Sequence, residues 1–184
     1  MTIPDKAQNI LTFWFQELTP EQWFMKNDQL DADIRTRFGD DVMRALGGQY
    51  DGWAGNAVSR LSLILLLDQF TRNIYRNTPH AFAGDEMACA LALRSVDDGT
   101  IAAENEQSKR HFYLMPMMHS EELAIQDASL PLFVQFTNAK TAEYAERHRD
   151  IIAQFRHFPH RNDILGRPST EEEKVFLSQP GSSF

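Results

Sequence analysis

The chain has a single cysteine, Cys89, in 184 residues, so no disulfide can form within it. That usage fits a reducing compartment, and the expected location is the cytoplasm. No apolar run approaches the roughly 20 residues of a membrane span; the longest, Leu61–Leu67, already contains Ser62. The opening "MTIPDKAQNILTFWF" lacks the basic and apolar regions of a signal peptide. There is no Gly/Ser linker, no Val/Ile/Thr-rich alternating stretch and no clean internal repeat. Phosphate-loop, dinucleotide and Gly-x-Ser-x-Gly signatures are missing, so no cofactor is expected. Positive charge is short as well: the net charge is −8, and no basic stripe exists to neutralise a nucleic-acid backbone. Nucleic-acid and membrane partners are therefore not expected, and the oligomeric state is left open.

What remains is 42% apolar, 11% aromatic and 24% charged, the composition of one globular domain, residues 1–184. Nearly every segment reads as helix. Thr19–Pro20–Glu21–Gln22 has the form of a capped helix start. Asp28–Leu46 places Leu30, Ile34, Phe38, Val42 and Leu46 at four-residue steps, with Gly47–Gly48 as the stop. Asn56–Arg76 is long and Leu-rich, a buried helix rather than a strand. Asp85–Asp98 stops at Gly99, and Ala88, Ala92 and Ser95 suit close packing. Ser108–Met118 is expected to break at Pro116, and Ser120–Phe136 to bend or split at Pro131. Thr141–Phe155 turns Tyr144, His148, Ile151, Ile152 and Phe155 to one side. "STEEE" offers a capping box, Ser169 with Glu172 or Thr170 with Glu173. The expected fold is all-α, with about eight or nine helices.

Candidate chemistry falls in three places. In "LLLDQFTRNIYR", Asp68 follows three leucines on a helix apolar nearly all round, and a buried carboxylate requires a partner. Arg72, four residues on, lies on the same face. The pair is either structural, or an orienting or general-base carboxylate with an anion clamp. In "MPMMHSEE", His119 sits at a helix boundary before Ser120, Glu121 and Glu122. Either Ser120 caps and the glutamates complement the helix dipole, or a His–carboxylate couple is available for acid–base work.

The third is "RHRDIIAQFRHFPHRNDILGR", where Arg147–Arg167 carries five arginines against Asp150 and Asp163, leaving −11 for the rest of the chain. Arginine outnumbers lysine 13 to 5, which favours bidentate contacts with carboxylate or phosphate. Arg149, Arg161, Asn162 and Arg167, with His148 facing inward, could gather an anionic ligand or instead clamp helix ends and acidic side chains. Pro159 is expected to stop the preceding helix and Asn162–Asp163 to turn the chain. His157 and His160 are a weak zinc signal across that proline, and no metal is expected. Five of the six histidines lie between residues 111 and 160, and clustered titratable groups mark candidate sites.

"ILTFWF", "LLLDQFTRNIYR", "HSEEL", "HRDIIAQF" and "FPHRNDILGRPSTEEEKVFL" together resemble the bacterial domain of unknown function 924 family, almost end to end. The resemblance implies an all-helical fold similar to tetratricopeptide-like superhelices, built from helix pairs without a regular repeat, and implies no particular activity. Where that family usually reads Phe-Gly-Arg-Phe-Pro-His, this chain has Phe155–His160, with Arg156 in the glycine slot and His157 in place of arginine. Arg156 there suggests that no positive φ is essential, and His157 argues against a role needing permanent charge. Pro131 falls in a helix the family keeps continuous.

Two readings of function follow from these residues. In the first, Arg72, His148, Arg149, Arg161, Asn162 and Arg167 bind a small anionic molecule or peptide carboxylate. In the second, the chain is a hydrolase or transferase acting on a phosphate- or carboxylate-bearing metabolite. His119 or His160 would then be the acid–base group and Asp68 or Glu121 its orienter. A protein-interaction module with a purely structural polar network is the remaining alternative.

Overall fold

Asn27 starts the first long helix by accepting hydrogen bonds from the amides of Gln29 and Leu30 on its side-chain oxygen. That helix, α2 (Asp28–Leu46), buries Leu30, Ile34, Phe38, Val42 and Ala45 along one stripe, and Gly48 beyond it takes a left-handed φ of 74°. In a computed structural model describing residues 3–182, the same logic gives eleven α-helical segments and no strand among the described residues. The others are α1 (Asp5–Thr12), α3 (Ala57–Ile64), α4 (Thr71–Ile74), α5 (Asp85–Asp97), α6 (Thr100–Ala103), α7 (Gln107–Met118), α8 (Leu123–Phe136), α9 (Ala139–Phe155), α10 (Asn162–Leu165) and α11 (Glu171–Leu177). Among them no helix is long and apolar enough to cross a membrane.

Helix α3 is capped by Asn56 and runs through a π-helical turn, Leu65–Phe70, into α4. Every residue from Ser59 to Thr71 is buried, so this rod is the centre of the molecule. An aromatic cluster packs on it. Trp14 lies 5.4 Å from both Phe70 and Phe112, and Phe38 lies 5.2 Å from Phe70, ring centre to ring centre. Helices α7, α8 and α9 pack in succession, compatible with tetratricopeptide-like helix pairing. A smaller apolar cluster of Ile151, Ile152 and Phe158, backed by Phe155 and Phe176, seats the C-terminal segment.

Gly84 precedes α5 at a point where a Cβ would collide with the Leu67 carbonyl. Only glycine lets the start of α5 approach the π-helical turn this closely.

Several local expectations are corrected. The Thr19 segment forms turns rather than a helix, although Gln22 Oε1 does accept the Thr19 amide at 2.8 Å. Neither proline breaks its helix: Pro116 sits within α7 and Pro131 within α8. Burial of the α7 residues Phe112–Met118 outweighs the loss of one backbone bond. Around Pro131, Asp127 and Ala128 are exposed, so water can satisfy the freed carbonyl. Helix α8 begins at Leu123, so Ser120 is not its cap and Glu121 not in its first turn. Tyr144 faces solvent while Thr141, Ala145, His148, Ile151 and Ile152 face inward. Asn162–Asp163 opens the short helix α10, and the chain leaves α9 before Pro159, at Arg156. Arg156 has a φ of 67°, contrary to the expectation from its side chain. The chain keeps the left-handed cap there although arginine carries a steric cost of about 1–2 kcal/mol in it. The Thr170–Glu173 capping box forms as expected.

Candidate active site

The π-helical turn carries Asp68 into the interior, where its side chain has 0% exposure. Such turns recur at functional positions in helices because they re-aim side chains. Asp68 Oδ1 lies 2.6 Å from His119 Nδ1 and 3.2 Å from Arg72 Nη1, and Gln69 Nε2 donates to Oδ2 at 2.5 Å. Burial pushes the carboxyl toward the neutral acid, but His119, Arg72 and Gln69 overcome it and hold Asp68 well below the usual carboxylate range.

His119 stands at the C-terminal end of α7 with its side chain 16% exposed. Burial and then the Arg72 charge lower its pKa, against the opposing pull of Asp68, which favours the neutral imidazole. An ionised Asp68 accepts Nδ1–H, so the lone pair sits on Nε2, and Nε2 makes no hydrogen bond to the described residues.

Around this couple lies a network of arginines. Arg72 grips Asp85 side-on, Nη1 to Oδ1 at 2.8 Å and Nη2 to Oδ2 at 3.0 Å, and also donates to the Asp68 carbonyl at 2.8 Å. Arg161 donates to Asp85 Oδ2 at 3.1 Å and to the His119 carbonyl at 3.0 Å. Its guanidinium lies between Phe82 and Phe158, 4.6 Å from each ring centre. Burial first, then Arg72, brings its pKa down to about 10.

His148 and His160 border the same cluster through Phe158, each 5.6 Å from its ring centre, and His148 is 6.5 Å from His119. His148 Nδ1 donates to the Tyr144 carbonyl at 2.7 Å. Burial above all drives the His148 pKa down to about 3 and that of His160 to about 4.

The remaining candidates lie outside this cluster. Glu121 accepts the Phe158 amide at 2.9 Å and both Nη atoms of Arg167 at 2.8 and 3.0 Å, pinning the C-terminal segment. Asn162 is wholly buried and donates to Ser169 and Glu173, locking α10 to α11. Arg149 is an exposed partner of Asp127 and Asp150. Cys89 is buried with its thiol pushed up to about 11, first by burial, which disfavours the thiolate. Among the described residues no group of three or more His, Cys, Asp or Glu side chains is arranged to hold a metal ion.

Gln69, Phe82 and Asp85 join the cluster without any signal in the sequence. Asp85 reads as an ordinary acidic helix start, and Gln69 as one more position of a buried helix. Gly84 beside Asp85 was the one available hint of close approach.

A family model described as "Bacterial protein of unknown function (DUF924)" matches residues 10–181. Among solved structures, a protein of unknown function, ATU0120, from Agrobacterium tumefaciens is similar with a TM-score of 0.87 at 38% identity. That match covers 94% of this chain and 96% of the other. No curated protein matches.

Proposed function

The chain belongs to the bacterial DUF924 family, and we propose that it is an acid–base enzyme, a hydrolase or transferase, whose proton-transfer group is His119. The observation that carries this reading is the 2.6 Å contact of His119 Nδ1 with the wholly buried Asp68, which leaves Nε2 unspent at a partly exposed edge. A neutral imidazole in this tautomer takes a proton at Nε2 from a substrate hydroxyl or from water, and later returns it to a leaving group. Asp68 holds the ring and stabilises the imidazolium formed in between. The neighbouring guanidinium groups of Arg72 and Arg161 suit a substrate bearing carboxylate or phosphate.

Simple anion capture is the weaker reading of the same residues. Arg72, Arg161 and Arg167 each already hold a carboxylate of the chain, Asp85, Asp85 and Glu121. The completeness of that pairing favours a second reading instead, a structural keystone with no chemistry of its own.

The two are separated by diethyl pyrocarbonate, which acylates neutral imidazole, with modified residues located by mass spectrometry. Small phosphate and carboxylate esters serve as turnover probes. The enzyme reading expects reaction at His119 Nε2 and a loss of turnover of about 100-fold or more, reproduced by His119→Gln with the fold retained. An unreactive His119, or turnover indifferent to its modification, overturns it.

A further inference from the structure

Asp85 is held as an enzyme holds a substrate anion. Three N–H groups converge on its carboxylate, two from Arg72 at 2.8 and 3.0 Å and one from Arg161 at 3.1 Å. A side-on guanidinium joined by a second donor is the usual recognition pattern for free carboxylate and phosphate.

Neither guanidinium depends on Asp85 for its position. Arg161 is clamped between Phe82 and Phe158 and tied to the His119 carbonyl at 3.0 Å. Arg72 is tied to the Asp68 carbonyl at 2.8 Å and to Asp68 Oδ1 at 3.2 Å, with Phe82 at 5.6 Å. The fork would therefore persist with Asp85 turned away.

Asp85 is the least tethered member. It is a short side chain on the first residue of α5, 16% exposed, with no partner among the described residues besides these two arginines. Turned to solvent it would still favour the positive end of that helix. The three groups Asp68, Arg72 and Arg161 then leave one positive charge uncompensated beside a neutral His119.

We propose that Arg72 and Arg161 form an anion-binding site whose resident occupant is the Asp85 carboxylate, and that a carboxylate or phosphate group of the substrate binds by replacing it. Naming that anion as substrate rests on the acid–base reading of His119; the site itself does not. Arg72 Nη1 contacts both Asp85 and Asp68, and Asp68 contacts His119, so an anion in the place of Asp85 lies one guanidinium away from the proton-transfer couple.

The test measures binding of inorganic phosphate and of acetate by calorimetry at constant ionic strength, with chloride as the reference. Asp85→Ala is expected to bind at least tenfold more tightly than the wild type and to recover melting temperature as the anion is added. Adding Arg161→Met to that variant should abolish both effects. Asp85→Asn, which preserves volume, serves if the alanine variant does not fold, with the same gain in affinity expected. The proposal falls if the folded variants bind no more tightly than the wild type, or if Arg161→Met leaves their binding unchanged. A phosphate site in Asp85→Ala alongside turnover indifferent to His119→Gln would sink the enzyme reading and leave the anion site standing. Loss of turnover in His119→Gln without any phosphate site in the Asp85 variants would do the reverse.

Discussion

Two parts of this molecule are dense in charge and histidine, and they spend it differently. In the C-terminal joint, Glu121 binds Arg167 and the Phe158 amide, while Glu173 binds His157, Asn162 and the Thr170 amide. These contacts fix the path of the chain from α9 to α11. Around Asp68 the residue types are the same, but the carboxylate is wholly buried and one of its partners, His119, is 16% exposed and engages only Nδ1 in a hydrogen bond among the described residues. Charge density alone therefore does not distinguish a site from a fastening. The joint also leaves polar atoms unpaired, Asn162 Oδ1 and Arg167 Nε, but these are enclosed, whereas the side chain of His119 is partly exposed. What distinguishes the two regions is whether the leftover atom can be reached.

The sharpest way to break this comparison is Asp68→Asn. It leaves Arg72 without one counter-charge and reverses a donor–acceptor contact, so about 3–5 kcal/mol of stability should disappear in urea unfolding. A loss below 1 kcal/mol would show that the interior couple is no more structural than a surface pair.

The histidines of the interior give the next effect. His148 stays neutral in the fold down to about pH 3, whereas in the unfolded chain it takes up a proton near 6.5. Its contribution is therefore fully present above pH 6.5 and is lost as the pH falls toward 3. At pH 5 that loss is about 2 kcal/mol. His148→Gln should flatten the slope of stability against pH in this window by up to one proton, whatever it does to stability at neutral pH. An unchanged slope would show that His148 titrates normally in the fold.

In the joint, Glu121→Gln keeps the shape and removes the charge facing Arg167. Both side chains are more than a quarter exposed, 28% and 29%, so solvent discounts the pair. The expected cost is about 1–2 kcal/mol, with chemical denaturation as the check and no change in phosphate binding by the Asp85 variants. Smallest is Arg156→Gly. It relieves the left-handed strain at φ 67°, partly offset by a looser unfolded chain, for a net gain of about 0.5–1 kcal/mol. A loss instead would mean that the arginine side chain makes a contact worth more than the strain.

Much of this was legible in the sequence. The stripe of Leu30, Ile34, Phe38 and Val42 defines α2, "STEEE" defines the start of α11, and three leucines before Asp68 foretell its burial. Asp68 with Arg72 and the availability of His119 were readable as separate pairs and boundaries. Pro116 and Pro131 were misleading because a helix tolerates a missing donor where packing or water compensates, and neither is visible locally. The richness of "RHRDIIAQFRHFPHRNDILGR" misled in another way, since five arginines and three histidines say nothing about whether their partners are ligands or the chain's own Glu121, Glu173 and Asp85.

By itself, then, the sequence determined an all-helical chain and most of its helix boundaries, because caps, glycine stops and apolar periodicity act over a few residues. Tertiary structure alone decided that Asp68 meets His119 fifty-one residues away. It also decided that Asp85, brought in by Gly84 against the Leu67 carbonyl, would sit between Arg72 and Arg161. Those contacts depend on how one helix surface approaches another, and no local pattern encodes that distance.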